Sequence, residues 1–206
     1  MRQMGVRERR DRERLSMRRA ILDAARQIAA QEGWQAVTIR RVAEKIEYSP
    51  PTIYEYFESK EAILEEEVRA GFSLLLDDLK AARAAHSAPE EQCTAMGYAY
   101  WDWVWKYPEL YQVISGLGGV NFCESDKPHD QGQEVAGLFS GVLQSILPPG
   151  TQTAQDLEDK VVVLWSLIHG FIALIMAGRI PETKRDRARE LALLAAGDLL
   201  KAWRSP

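Results

Sequence analysis

The spacing of the apolar residues constrains this chain most, because from about residue 15 onward they recur every three or four positions. This spacing places side chains on one face of an α-helix. The first such face covers residues 21–29, and Gly33 ends it. Because no segment alternates apolar and polar residues as a half-buried strand does, the pattern predicts an all-α protein of about nine helices.

Capping residues and prolines divide these helices. Thr38 is placed to begin a second helix, Ser49 to begin a very short third one, and Ser59 to begin a fourth. A polar, Gly-rich stretch at residues 115–131 predicts a loop in the second half. The segment 90–106 is apolar nearly all round, so we expect it in the interior of a domain.

The charge is unevenly distributed along the 206 residues. Residues 1–60 hold 13 Lys and Arg against 9 Asp and Glu, a net charge of +4, and the remainder holds 13 against 21, a net charge of −8. A positive front part and a negative rear part are typical of a small nucleic-acid-binding module joined to a larger one. We therefore divide the chain into a basic arm (1–17), a helical DNA-binding domain (18–64) and a larger second domain (65–206).

The cysteine content and the amino terminus indicate the compartment. Cys93 and Cys123 are too few for a disulfide framework, so we expect reduced thiols. The amino terminus carries alternating charges and lacks the apolar segment of a secretory signal. These features predict a cytoplasmic protein.

Three short helices, the second and third joined by a tight turn, are typical of a helix-turn-helix. The third helix of that motif is held from behind so that it can enter the major groove of DNA, and Ile53 and Phe57 are spaced to hold it. The opposite face then presents Pro51, Thr52 and Tyr54 to base edges. The residues placed to contact the phosphate backbone are Ser49 at the helix N-terminus, Thr38, Arg40, Arg41, Tyr56 and Lys60.

Three stretches of this region resemble the amino-terminal domain of the TetR/AcrR family. They are Arg19-Ala-Ile-Leu-Asp-Ala-Ala, Thr38-Ile-Arg-Arg-Val-Ala and Ser49-Pro-Pro-Thr-Ile-Tyr-Glu-Tyr-Phe-Glu-Ser-Lys60, within about residues 18–64. The resemblance implies an all-α homodimer that binds a double-stranded DNA operator as a repressor and leaves it when a small molecule enters the carboxy-terminal domain. A transcriptional activator would use the same DNA-binding head.

The resemblance also implies roles for single residues. Thr52 and Tyr54 would face the DNA from the third helix. The residues that would contact phosphates are Thr38, Arg40, Tyr56 and Lys60, with Arg40 also able to reach a base.

The chain departs from the family at the turn before the third helix. The family usually has glycine there, where a positive φ is favoured, and this chain has Glu47 followed by Tyr48. A non-glycine residue with positive φ is mildly strained, so the turn either keeps its shape under strain or differs. Glu47 and Glu55 are also electrostatically unfavourable near DNA, although Glu55 can accept a hydrogen bond from cytosine.

The arginine-rich arm allows two interpretations. It holds Arg7, Arg9, Arg10, Arg12 and Arg14, with Arg18 and Arg19 directly after it. Such an arm can contact the minor groove or the phosphates of DNA, as the arms of homeodomains do. Alternatively it is a solvated helix with charge pairs four residues apart, such as Glu8 with Arg12. The sequence leaves both open.

The second half carries a further resemblance. Tyr107-Pro-Glu-Leu-Tyr111 and Leu164-Trp-Ser-Leu-Ile-His-Gly170 resemble the carboxy-terminal domain of a TetR subgroup with a Trp…His-Gly motif. Aromatic side chains between helices commonly line small-molecule sites, although each can simply belong to the core. The residues expected to line a site for a small apolar or aromatic ligand are Tyr98, Trp101, Trp105, Tyr111, Trp165 and His169. For His169 we favour a backbone carbonyl as hydrogen-bond partner over a ligand.

Residues 161–177 are nearly all apolar, which allows two interpretations. The segment is about 17 residues long, which is near the lower limit for a membrane-spanning helix of typically ~20 residues, so a membrane-associated sensor is one alternative. Ser166 and His169 inside the segment, and the acidic residues 156–159 before it, favour a helix buried between subunits. The family resemblance implies that the last two helices form a four-helix interface in a homodimer, with no membrane contact.

The chain lacks the motifs of common catalytic sites. It has no Gly-x-Ser-x-Gly and no metal-ligand spacing, and Ser115-Gly-Leu-Gly-Gly119 lacks the Lys of a phosphate-binding loop. We therefore expect no enzymatic activity, no catalytic residue, no metal and no cofactor. An active site hidden among the aromatic residues of the second half is the remaining alternative.

Overall fold

In the computed structural model, which describes residues 2–117, 130–150 and 152–204, the chain is all-helical, and the fold-class prediction is confirmed. The α-helices of the described residues are α1 (Arg2–Glu32), α2 (Ile39–Lys45), α3 (Pro50–Tyr54), α4 (Lys60–Ala84), α5 (Pro89–Lys106), α6 (Pro108–Ile114), α7 (Asp130–Ile146), α8 (Ala154–Met176) and α9 (Arg185–Arg204). Two 3₁₀ turns, Trp34–Ala36 and Glu182–Lys184, join them. The predicted loop at 115–131 falls mostly, and Cys123 entirely, outside the described residues.

The contacts divide the chain into two compact units. The first unit comprises Met1–Phe72 and Tyr107–Lys127, and the second comprises Ser73–Lys106 and Pro128–Pro206. The first unit thus takes in α6, because this helix packs against α1. The functional boundaries after residues 17 and 64 stay predictions, and the contacts group residue 107 onward differently from them.

The core of the first unit forms where α1 to α4 converge. Trp34, from the 3₁₀ turn after α1, is fully buried there with Ile21, Ile53 and Ile63. Its indole Nε1 donates a hydrogen bond of 2.7 Å to the carbonyl oxygen of Glu109 in α6. Burying a large indole with its N–H satisfied fixes α6 to this core.

A buried ion pair joins α1 to α4 in the same unit. The Arg26 guanidinium donates hydrogen bonds of 2.8 and 3.1 Å to Oε2 of Glu67, whose side chain is fully buried. Oε1 of Glu67 has no hydrogen-bond partner among the described residues. Burial raises the pKa of Glu67 to about 7 against the opposing effect of Arg26, and the charges of Asp23 and Glu109 raise the pKa further.

The first half of α1 is an exposed, charged extension of a core helix. Residues 7–16 are all exposed, whereas α1 buries its apolar face from Ile21 onward. Arg9 Nε donates to Glu13 at 2.8 Å, an exposed pair four residues apart that favours the helix. The predicted arm is therefore helical and continuous with the part of α1 that packs in the core of the first unit.

The second unit is a bundle in which α5 packs against α7 and α9, and α8 packs against α7 and α9. The middle of α5 is buried, with Met96, Trp101 and Trp103 nearly inaccessible, as its apolar sequence predicts. α5 and α9 approach closely at Gly97, since a Cβ there would lie 2.8 Å from Cδ2 of Leu193. Thr153 begins α8 with a capping box, in which its side chain and that of Asp156 each accept a hydrogen bond from the other's backbone N–H.

Candidate DNA-binding and ligand-binding sites

The turn that connects α2 to α3 has the shape that a glycine normally provides. Glu47 has φ of 62°, and it is the positive-φ non-glycine residue of the described chain. The Tyr48 N–H donates to the carbonyl of Ala43 at 2.9 Å, and the Glu47 N–H donates to that of Glu44 at 3.2 Å. These two bonds form a Schellman motif, which ends a helix through a left-handed residue. The turn therefore keeps the helix-turn-helix geometry, with the strain placed on Glu47.

α3 is held from behind as the sequence predicts. Ile53 is fully buried and Phe57 nearly so, both in the core of the first unit. On the other side Pro51 is exposed, Tyr54 is 56 % exposed, and Thr52 is half-buried. This short helix thus presents one polar and aromatic face to solvent, and that face is the candidate for contacts with base edges.

Ser49 occupies the N-cap position of α3, but its side chain makes no capping hydrogen bond to the backbone. Its hydroxyl instead lies 3.0 Å from the hydroxyl of Thr52. The Ser49 side chain therefore orients a residue of the exposed face. At α2, by contrast, Thr38 caps as predicted, because its Oγ1 accepts a hydrogen bond of 3.2 Å from the Arg41 N–H.

The predicted phosphate-contacting residues differ in how freely they can reach a ligand. Arg40 is exposed and pairs with Glu44 at 2.8 Å, one turn away. Arg41 is half-buried and pairs with Glu32, and it also donates to the carbonyl of Ala36 at 3.3 Å. The exposed ion pair between Arg40 and Glu44 contributes little to stability in water, so Arg40 can easily exchange it for a contact with a phosphate.

Two further predicted residues contribute to the first unit itself. Lys60 Nζ donates to the carbonyl of Trp34 at 3.2 Å, and the carbonyl of Tyr56 accepts a bond of 2.7 Å from Arg18. The Arg18 guanidinium also lies 4.2 Å from the ring centroid of Phe57. These contacts position the segment after α3. They leave the phosphate-contacting roles of Lys60 and Tyr56 as predictions.

Sequence reasoning did not single out Tyr48 as a candidate for DNA contact. This residue follows Glu47 in the turn and is half-exposed immediately before α3. The signal available was its position, one residue before Ser49, the N-cap of α3.

The predicted aromatic ligand set does not form one cluster within the second unit. Tyr111 belongs to the first unit, where it is buried. Trp101 is buried beside Trp105, with ring centroids 6.2 Å apart. Trp165 and His169 form a second contact, with centroids 4.8 Å apart.

Cationic and polar groups contact the outer members of this set. Arg185 lies over Trp105 and Arg189 over Tyr98, at 5.1 and 5.5 Å from the ring centroids. Trp165 Nε1 donates to the hydroxyl of the buried Tyr100 at 3.1 Å. Partial burial lowers the pKa of His169 from its ordinary value of 6.5, so its imidazole is neutral at pH 7.

Two openings of the second unit lie near these residues. A small cavity of about 40 Å³ lies between α5, α7, α8 and α9, and its lining includes Cys93, Gly97 and Ile168. Desolvation raises the pKa of the Cys93 thiol to about 11, so the thiol is protonated and unreactive. An open groove of about 670 Å³ runs beside α5, with Tyr98, Glu91 and His86 in its lining.

An apolar face of α8 and α9 is exposed in the single chain. Its large members are Val162, Val163, Trp165 and Leu174 of α8 with Leu191 and Leu194 of α9. Large exposed apolar side chains on two helices that pack against each other are typical of a surface that binds another molecule. Within the described residues α8 is also long and apolar enough to cross a membrane, but by length and composition only, and core helices of soluble proteins pass the same test.

Two family profiles match the chain, one in each half. A profile of bacterial regulatory proteins of the tetR family matches residues 21–66, and a profile of the tetracyclin repressor-like carboxy-terminal domain matches residues 93–197. The HTH-type regulator YobS of Bacillus subtilis is 26 % identical over 157 residues, which cover 75 % of this chain and 76 % of YobS. The HTH-type regulator BetI of Rhizobium meliloti is 35 % identical over 79 residues, 38 % of this chain and 39 % of BetI.

Solved structures share the fold at low sequence identity. A TetR-like transcriptional regulator from Rhodococcus sp. RHA1 aligns with a TM-score of 0.63 at 20 % identity, covering 89 % of this chain and 94 % of that protein. The transcriptional regulator FadR of Bacillus subtilis, solved in complex with stearoyl-CoA, aligns with a TM-score of 0.64 at 14 % identity, covering 84 % and 96 %. At such identities the likeness extends to the fold.

Proposed function

The chain belongs to the tetR family of bacterial regulatory proteins and is a DNA-binding transcriptional regulator, not an enzyme, and from this premise we propose that it is a cytoplasmic repressor released from its operator by a small molecule. One observation carries the DNA-binding part of the proposal. α3 is fixed by Ile53 and Phe57 behind a Schellman turn, and it presents Pro51, Thr52 and Tyr54 outward. The repressor role is supported by the tetracyclin repressor-like profile that matches the second half.

In this proposal the exposed face of α3 contacts base edges. Thr52 offers a methyl and a hydroxyl group, Tyr54 a ring and a hydroxyl group, and Pro51 an apolar edge. Contacts to the phosphates come from Thr38, Arg40, Arg41, Ser49, Tyr56 and Lys60, together with the N–H groups at the start of α3. For Arg40, binding replaces the Glu44 carboxylate by a phosphate, which keeps the guanidinium paired.

The proposed homodimer forms through the apolar face of α8 and α9. Val162 and Leu194 are each more than half exposed in the single chain, and burying such side chains is favourable by roughly 25 cal/mol per Å². Of the small residues on α9, Ala195 is partly exposed and allows another helix to approach closely, whereas Ala192 is buried within the single chain. A two-fold dimer then carries two α3 helices, which explains why such regulators read two-fold symmetric operators.

The proposed ligand is small and apolar or aromatic, and it binds in the second unit near Tyr98, Trp101, Trp105, Trp165 and His169. Trp101 and Trp105 contact each other, and Trp165 is anchored to Tyr100, so a ligand would meet aromatic rings whose positions are fixed. The sixth predicted residue, Tyr111, is buried in the first unit and holds α6 there. A ligand that binds one conformation of the dimer more tightly than the other lowers operator affinity by that difference.

The test begins with the DNA sequence that the wild-type protein selects from a pool of random duplexes. Tyr54→Ala is expected to weaken binding of that duplex by about 1–3 kcal/mol, or roughly 5- to 150-fold. Tyr98→Ala, measured without any ligand, is the control, because it removes an exposed tyrosine of the proposed ligand site, which has no contact with DNA in this proposal. Equal affinities of wild type and Tyr54→Ala would refute the role of α3.

Repression and release are tested separately. A reporter gene behind the selected duplex is expected to be expressed more strongly when the protein is absent, whereas an activator gives the opposite result. Stearoyl-CoA and a neutral aromatic dye serve as ligand probes, with operator affinity as the readout. Saturable binding of a probe in the second unit that leaves operator affinity unchanged would contradict release by that class of ligand.

A further inference from the structure

The arginines of the first half of α1 divide between two faces of the helix. Arg7, Arg10 and Arg14 are spaced at i, i+3 and i+7, so they form one row along the helix. Arg18, four residues after Arg14, continues the same row toward the core. We call Arg7, Arg10 and Arg14 the arginine row.

The two faces differ in how their charges are satisfied. On the other face Arg9 pairs with Glu13, and Arg12 donates to the carbonyl of Glu8 at 3.4 Å. Within the described residues, the three guanidinium groups of the arginine row have no ion-pair partner, and all three side chains are exposed. Three adjacent like charges without a partner disfavour this helix on its own, and a polyanion bound along the row would offset that repulsion.

The contacts of Arg18 connect the arginine row to the segment that follows α3. Its guanidinium donates to the carbonyl of Tyr56 at 2.7 Å and lies over the ring of Phe57, both just after α3. Arg18 therefore joins the row to the end of the proposed recognition helix. With a rise of 1.5 Å per residue, Arg14, Arg10 and Arg7 lie about 6, 12 and 16 Å farther along the helix axis.

We propose that the arginine row binds the phosphate backbone of duplex DNA outside the base pairs that α3 reads. This inference rests on the proposed function and extends its DNA surface along α1. Duplex DNA carries one charge per about 1.7 Å of its axis, so a row of this length meets several phosphates. The arginine side chains of the row are long and exposed, and the helix that carries them continues into the core of the unit that contains α3. Two acidic residues lie beside the row and weaken its field: Asp11, four residues after Arg7, and Glu13, three residues after Arg10 and paired with Arg9.

The test compares two duplexes and two triple variants of the full-length protein. One duplex ends at the edges of the sequence that wild type selects, and the other extends it by about ten base pairs on each side. Wild type is expected to bind the extended duplex at least about tenfold more tightly at low salt. In the variant Arg7→Gln, Arg10→Gln, Arg14→Gln this preference should disappear, and the salt slope should fall by about 0.9 for each phosphate that the variant no longer neutralises.

The matched control is Arg9→Gln, Arg12→Gln, Arg19→Gln, which removes the same number of charges from exposed positions off the row. It should keep the preference for the extended duplex. Glutamine preserves helix propensity, and circular dichroism verifies that α1 stays helical in both variants. Asp11→Asn should tighten binding of the extended duplex and leave the trimmed duplex unchanged.

Each result has one meaning. If both triple variants lost the preference for the extended duplex equally, the arm would act only through its total charge, and the proposal would be overturned. A wild-type protein that binds both duplexes with equal affinity would also overturn it. Binding of the arginine row to anionic vesicles, with no effect of DNA length, would assign it to membranes and likewise overturn it. If the wild-type protein selects no DNA sequence at all, the proposed function is contradicted, and the proposal for the arginine row, which rests on it, is contradicted as well.

Discussion

The two units expose opposite kinds of surface. The first unit buries large apolar side chains such as Trp34 and Ile53 in its core, and the surface of α3 that it exposes is polar and aromatic. The second unit buries Trp101 and Trp103 but leaves an apolar face on α8 and α9 in solvent. The first unit therefore has the surface of a module that works against a polar, charged partner. The second has the surface of a module that is complete when another apolar surface covers it.

Removing the central side chain of the first unit should have the largest effect. Trp34→Ala leaves a cavity and removes the hydrogen bond to the Glu109 carbonyl, so we expect the free energy of unfolding to fall by about 3–5 kcal/mol. Denaturant titration followed by circular dichroism measures it. Tyr54→Ala, on the exposed face of the same unit, should change it by less than about 0.5 kcal/mol. Similar losses in both variants would break the distinction between core and DNA-binding face.

The buried Glu67 makes the first unit sensitive to pH. Its pKa is raised from 4.5 to about 7 by burial, so between these values the folded state binds more protons than the unfolded state. Stability from this group is therefore present below about pH 4.5 and is lost as the pH rises to about 7. Glu67→Gln should be insensitive to this change, and its stability relative to wild type should rise by up to about 3 kcal/mol between pH 5 and pH 8.

The neighbouring residue gives the control for this pH experiment. Glu66 is half-exposed and pairs with Arg18 at 3.4 Å. Because Glu66→Gln keeps Glu67, its stability should change between pH 5 and pH 8 as that of wild type does. Unfolding is measured at both pH values for all three proteins. An identical pH dependence of wild type and Glu67→Gln would contradict the raised pKa.

The apolar face of the second unit can be tested with two leucines of equal exposure. Leu194 in α9 and Leu15 in α1 are each 58 % exposed. Leu194→Asp places two charges in the proposed dimer interface and should weaken dimerisation by at least tenfold, or about 1.4 kcal/mol. Leu15→Asp should leave it unchanged. Sedimentation equilibrium measures both, and a wild-type monomer at micromolar concentration would contradict the assignment of this face.

The smallest effect is expected at the turn before α3. Glu47→Gly removes the strain of a non-glycine residue at φ of 62°, and we expect stabilisation by up to about 1 kcal/mol. Glu47→Gln keeps the strain and removes the charge, so it should tighten DNA binding without stabilising the fold. Loss of stability in the glycine variant would mean that the turn differs from the Schellman geometry.

The helix-turn-helix was predictable because its determinants are local. The spacing of Ile53 and Phe57, the cap at Thr38 and the departure at Glu47 all act within a few residues. The local sequence pattern did not show which backbone conformation the turn adopts with Glu47 in place of the usual glycine. The backbone hydrogen bonds of the turn answer it: Glu47 takes the left-handed conformation and α3 keeps its position.

Contacts between distant residues were not predictable. Nothing in the sequence pairs Trp34 with Glu109, and this hydrogen bond brings α6 and Tyr111 into the first unit. Their position beside the third helix and the family resemblance both predict Lys60 and Tyr56 as phosphate contacts, whereas their bonds to Trp34 and Arg18 depend on tertiary packing. The aromatic residues of the second half were assigned to one site by composition, and composition carries no information on which rings meet.

The central claim is that α3 reads DNA sequence, and selection from random duplexes tests it most directly. Wild type should enrich a two-fold symmetric sequence. Tyr54→Ala, folded and dimeric as wild type, should enrich the same sequence with relaxed preference at one or two base pairs in each half. An unchanged selected sequence for Tyr54→Ala, or the absence of any enriched sequence for wild type, would contradict the claim.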